Sequence, residues 1–139
     1  MRQAQTMLTV NTRGQGLYEF TEDANRWLRE TDIKTGLLTA LVRHTSASLT
    51  IQENADPAVR RDLETYFSKI VPENAPWVTH TQEGPDDMPA HIRTALTDVS
   101  LGIPVTGGHL ALGTWQGLYL FEHRHRGHTR QVVLHVVGD

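Results

Sequence analysis

The chain has 139 residues, 38% of them hydrophobic and 21% charged, with no cysteine and a formal charge of −3. That length predicts one domain with its own core, and the missing cysteines exclude a disulfide framework, a zinc–thiolate site and a thiol nucleophile. Mild acidity argues against a dedicated nucleic-acid binder, and no apolar run suits a signal peptide or a membrane span, so a cytoplasmic domain is expected.

In chain order, "QTMLTV" and "GLYEF" flank "NTRGQG" and read as a hairpin. Thr21 is placed to cap a short helix through "EDANRWLRE", where Ala24, Trp27, Leu28 and Thr31 share a face. Gly36 releases "LLTALVRHTSASLTI", which reads as one strand-like run with Leu38, Ala40, Val42, His44, Ser46 and Ser48 on one side. The clearest helix is "NADPAVRRDLETYFSKIVPEN". Asp56 is its N-cap, Pro57 its first residue, and Val59, Leu63, Tyr66, Phe67 and Ile70 its apolar stripe, with Pro72 ending it.

"WVTH" then reads as a short strand, and Pro89 starts a helix carrying Ile92, Ala95, Leu96 and Val99. "LGIPV", "HLALGTWQGLYLFEHR" and "RQVVLHVV" follow as three strands, with Trp115, Tyr119 and Phe121 assigned to the core. Strands at both ends with helices between predict an α+β fold. The expectation is a single compact domain over residues 1–139, with a largely antiparallel sheet and two to three helices.

Chemistry concentrates in "HTQEGPDDMPAHIR", where His80 and His91 bracket a glutamate and two aspartates. Imidazole titrates near neutrality, so metal binding, phosphate handling and proton transfer would all use it. One of Asp86 and Asp87 is expected to cap the helix, leaving the other to face a cleft. His44 ends an apolar strand face, where a core gives way to a cleft; the plain alternative is a buried histidine satisfied by backbone. If the loop doubles back, His44, His80 and His91 converge as ligands for zinc or another divalent metal, whereas carboxylates with Asn54 would suit magnesium and a phosphate. Asn54 and Asp56 sit where a strand passes into a helix, and Gln116 and Glu122 flank two leucines, unlike a plain solvent face. Arginine outnumbers lysine eleven to two, which favours an anionic small ligand.

Taken together, "HTSASLTIQENADPAVRRDLE", "EGPDDMPAHI", "GTWQGLYLFEHR" and the Arg130 region resemble the YjbQ-like family of secondary thiamine-phosphate synthases, over about Gln5 to Val137. The resemblance implies a homotrimer with polar sites near the subunit boundaries. It implies synthesis of thiamine phosphate from a pyrimidine diphosphate and a thiazole phosphate, with release of pyrophosphate. His44, Ser46, Asn54, Asp56, His80, Asp86, Asp87, His91, Gln116, Glu122 and Arg130 occupy the family's motif positions. On that footing His44, Ser46, Asp87, His91 and Glu122 are expected to be catalytic. Asn54, Asp56, Asp86, Gln116 and Arg130 are expected to bind a small phosphorylated heterocycle, and His44, His80 and His91 a divalent metal, magnesium or zinc. No nucleic acid or membrane is expected as partner. A metal-dependent hydrolase of a small phosphorylated or amide substrate, and a non-catalytic ligand-binding trimer, are the alternatives.

Overall fold

A computed structural model describes residues 1–139. Eight strands and three helices follow in order: β1 (Arg2–Asn11), β2 (Gly16–Glu19), α1 (Thr21–Thr31), β3 (Thr35–Val42), β4 (Ala47–Glu53), α2 (Pro57–Ile70), α3 (Asp87–Leu96), β5 (Ser100–Thr106), β6 (His109–Leu110), β7 (Gln116–Glu122) and β8 (Thr129–Gly138). The strands form two antiparallel sheets, ordered β1-β8-β3-β5-β6 and β2-β7-β4. This is the expected α+β domain. No helix is long and apolar enough to cross a membrane.

Both sheets contribute to one core. Leu38, Ala40 and Val42 of β3 and Val132, Leu134 and Val136 of β8 meet Ala47 and Leu49 of β4 and Leu118 and Leu120 of β7, while Ala24 and Leu28 of α1 pack against the same cluster. β7 is buried on both faces, because α2 covers the side opposite the core. There Phe67 stands edge-on to Phe121 at 5.4 Å, and Arg60 donates to the Tyr119 hydroxyl. A strand covered twice can bury polar side chains as well as apolar ones, which matters for Glu122.

Several elements differ from the sequence reading. β1 and β2 are not a hairpin: β1 pairs with β8 and β2 with β7, in different sheets. The connecting turn packs on the β7–β8 connection, where a Cβ on Gly14 would lie 2.7 Å from the His125 carbonyl oxygen. Thr21 lies inside α1 rather than capping it. Its hydroxyl accepts the Leu118 N–H and donates to Glu19, tying the helix start to β7. The run from Leu37 to Ile51 breaks at residues 43–46, and its halves enter separate sheets. The run from His109 to Arg124 likewise divides into β6 and β7, because Gln116 folds back to accept the Gly113 N–H. "WVTH" pairs with no strand, and Trp115, assigned to the core, is 63% exposed. By contrast, α2 starts at Pro57 and Asp56 accepts the Ala58 N–H, as expected.

Candidate metal centre

α3 begins at Asp87, two residues before Pro89; a proline is tolerated in a first helical turn because its missing N–H has no partner there. Asp87 and His91 are four residues apart and so share one face. The irregular segment before the helix turns back at Gly84, whose φ of +102° is open to glycine. That reversal brings His80 onto the same carboxylate. His80 Nε2 lies 2.7 Å and His91 Nε2 3.1 Å from Asp87 Oδ2, and the two rings are 5.5 Å apart. One ligand atom from each of these residues lies within 4.8 Å of the others.

Neither aspartate side chain caps α3, contrary to expectation. Both serve Arg124 instead. Its Nε donates to Asp86 Oδ2 at 2.9 Å, its Nη1 to Asp87 Oδ1 at 2.7 Å, and its Nη2 to the Glu83 carbonyl at 2.8 Å. Asp86 Oδ2 also accepts the His125 N–H. Burial pushes Asp86 up, but these bonds and the guanidinium charge outweigh it and hold its pKa at about 2. Burial raises Asp87 too, and His80, His91 and Arg124 together bring it below the usual carboxylate range. Both acids are therefore anions at neutral pH. Asp87 spends one oxygen on its anchor and turns the other to the imidazoles.

His91 fixes what must lie between them. Its Nδ1 is 2.8 Å from the Thr45 carbonyl, which can only accept, so Nδ1 carries the proton. Its Nε2 then faces a carboxylate oxygen 3.1 Å away, and that contact calls for either a second proton on the ring or a cation between the two atoms. Ligand atoms about 2.0–2.1 Å from a tetrahedral zinc ion stand about 3.3 Å apart, so modest opening admits the ion. The His91–Thr45 and Asp87–Arg124 bonds are of the kind that orients ligands around a metal ion. The donor set fits a divalent transition metal better than magnesium, which favours oxygen.

His44 does not join this set. Its Nε2 accepts the Gln131 N–H at 2.9 Å, which leaves its proton on Nδ1 and no free lone pair for a metal. The plain reading of a histidine satisfied by backbone describes it. It still lines a groove together with His91.

Ser46, Glu122 and Arg130 form a second, buried group. Arg130 grips both carboxylate oxygens of Glu122 at 2.6–3.0 Å and donates to Ser46 Oγ, while Thr12 adds a bond to Glu122. Its guanidinium faces inward rather than toward a phosphate. Asn54, Asp56 and Gln116 lie at the other end of the small sheet. Ala47 pairs with Glu122 and Glu53 with Gln116, so about 20 Å of strand separates the two ends within one chain. There Asp56 caps α2, Asn54 Nδ2 reaches Glu19, and Gln116 closes its own turn.

Two participants were missed in the sequence. Arg124 stands in "FEHR", on the even face with Glu122, and that adjacency was the available signal. His123 is fully buried, with its Nε2 2.8 Å from Ser48 Oγ. Burial, then Arg93 and Arg130, hold its pKa down at about 3. It stays neutral in the fold, whereas the unfolded chain protonates near 6.5. Between those values the unfolded state binds more protons, so stability falls as pH falls. Roughly 2–3 kcal/mol should be lost between about pH 6.5 and 4.5. Melting temperatures across that window should fall less steeply for His123→Gln; equal slopes would refute the assignment.

A family model described as UPF0047 protein YjbQ-like matches residues 6–139. A UPF0047 protein of Synechocystis sp. is 51% identical over 138 residues, covering 99% of this chain and 94% of its own length. The Salmonella typhimurium protein YjbQ is 44% identical over 136 residues, 97% and 98% of the two chains. An uncharacterized YjbQ/UPF0047 protein of solved structure, from Clostridium acetobutylicum, matches with a TM-score of 0.87 at 29% identity, over 95% of this chain and 99% of its own. A conserved hypothetical protein from Thermus thermophilus gives 0.84 at 33% identity, over 93% and 97%.

Proposed function

The chain belongs to the UPF0047 YjbQ-like family, and from there we propose that it is a divalent-metal enzyme for small phosphorylated substrates. The reaction we assign is formation of thiamine phosphate. The thiazole nitrogen attacks the pyrimidine methylene carbon, the carbon–oxygen bond to the diphosphate breaks, and pyrophosphate leaves with the electron pair. The observation that carries this reading is the convergence of His80 Nε2 and His91 Nε2 on Asp87 Oδ2, at 2.7 and 3.1 Å. A divalent cation held by His80, Asp87 and His91 would neutralise the leaving group. Arg124 keeps Asp87 ionised and aimed, and Thr45 keeps His91 Nε2 open. On the Asp86 side, a cleft of about 470 Å³ is lined by Glu83, Asp86, Arg124, His125, Arg126 and His128; with Arg124 engaged by the two aspartates, Arg126 and the imidazoles are its donors for phosphate.

The donor chemistry supports a second reading. Two imidazoles favour zinc, and a three-ligand zinc site with open positions suits hydrolysis of a small phosphorylated or amide substrate. Protein stripped with EDTA and reloaded with zinc or magnesium should form thiamine phosphate only when reloaded. Cleavage of phosphorylated substrates without that product would select the hydrolase. If neither reaction survives careful purification, the chain is a non-catalytic ligand binder.

We also propose a homotrimer. Trp77, Trp115, Tyr66 and Leu96 are each more than half exposed in the isolated chain, at 57–67%, and would gain from cover. Light scattering should return three times the chain mass; a monomer mass at all concentrations would refute it.

A further inference from the structure

Beside the metal ligands runs a groove of about 500 Å³ between the His44–Thr45 segment and the face of α3 that carries His91. Val42, Ala95 and Val99 give it apolar walls, and Thr94 and Thr97 its hydroxyls. It has no aspartate, glutamate, lysine or arginine in its lining. A charged group entering would lose water and meet no counter-charge. An uncharged group with one polar atom would not face that cost.

His44 supplies the matching polar atom. The Gln131 N–H holds its Nε2 as an acceptor, so Nδ1 is a donor, and no group of the chain accepts from it. That donor stays open to solvent, so an incoming acceptor can take the place of water there. Burial first, and then the charge of Arg130, keep His44 below the usual histidine range, so this donor is a neutral N–H at physiological pH.

We infer that the groove binds an uncharged part of the substrate carrying an acceptor atom, of the amide or heteroaromatic-nitrogen kind, with His44 donating to it from Nδ1. The inference rests on the proposed metal site only in placing the reacting end of that molecule beside His91.

Benzamide, benzoate and benzylammonium share one ring and differ in charge. They can be titrated into the protein after EDTA dialysis and again with zinc, following the His44 and His91 ring resonances. Benzamide should shift both rings and bind about five-fold or more tighter than either ion in the metal-free protein. His44→Gln, which keeps an N–H donor, should bind benzamide nearly as well, while His44→Phe should weaken it about five-fold. Because His44→Phe also loses the Gln131 bond, Ala95→Glu serves as a second variant. That exposed position should accept the charge without a change in melting temperature and lose benzamide binding. Equal binding of all three probes, or benzamide binding indifferent to both His44→Phe and Ala95→Glu, would overturn the inference. If zinc fails to bind while the metal-free preference for benzamide holds, the metal proposal fails and the groove stands.

Discussion

Replacing Arg130 by methionine is expected to destabilise the protein by about 3–5 kcal/mol, because it leaves the Glu122 carboxylate buried without its cation. Glu122 is 0% exposed, and Arg130 contributes three of its contacts, at 2.6–3.0 Å. Thr12, the His123 N–H and the His128 ring, its Nδ1 3.3 Å from Glu122 Oε1, would remain, none of them replacing the bidentate guanidinium. The Ser46 hydroxyl and carbonyl would each lose a donor as well. The double variant Arg130→Met, Glu122→Leu should recover much of the loss, since removing both charges also removes the cost of burying them. Urea denaturation of the single and double variants measures this. A single variant within 1 kcal/mol of the parent would mean that Arg130 does little for stability.

The second large effect is at Asp87. Asp87→Asn removes the oxyanion that faces both imidazoles, and its amide can turn an N–H toward their lone pairs. Metal affinity and thiamine-phosphate formation should both collapse, by more than the roughly 10–100-fold expected for Arg124→Gln, which only loosens the anchor. Because neither aspartate caps α3 by its side chain, the loss is not explained by fraying of that helix. A cap removed would have cost about 1 kcal/mol and left turnover intact. Full activity and metal content in Asp87→Asn, with only the melting temperature reduced, would make the loop structural.

The parts of the fold that were legible are those that local chemistry settles. α2 has a proline at its first turn and an aspartate before it, and β8 alternates between Val132, Leu134 and Val136 and the more exposed Val133, His135 and Val137. What misled was phase. In the run from Leu37 to Ile51 the core-facing residues are the even ones through Val42 and the odd ones from Ala47. That slip from 42 to 47 marks the crossing between sheets, and it was present in the sequence. The β1–β2 pairing was not. Two strands joined by a short glycine-bearing turn look like a hairpin unless the long-range partners are known.

The same division holds for the site. His80, Asp86, Asp87 and His91 come from one short stretch, where helical spacing and a single chain reversal bring them together. Arg124 and His123 lay in plain view, at the end of a run whose even face already read as unlike a plain solvent face. Only the cover given by α2 and α3 turns that end of β7 into an interior. His44 is kept out of the candidate metal set by one backbone N–H, that of Gln131, which no sequence pattern announces.

Metal content tests the central claim most directly. The protein, purified without added metal and equilibrated with zinc, can be analysed by mass spectrometry for bound ions beside His91→Ala treated in the same way. About one zinc ion per chain should remain with the parent and almost none with the variant. A parent chain that retains no divalent ion, or a variant that retains as much as the parent, would contradict the His80–Asp87–His91 centre.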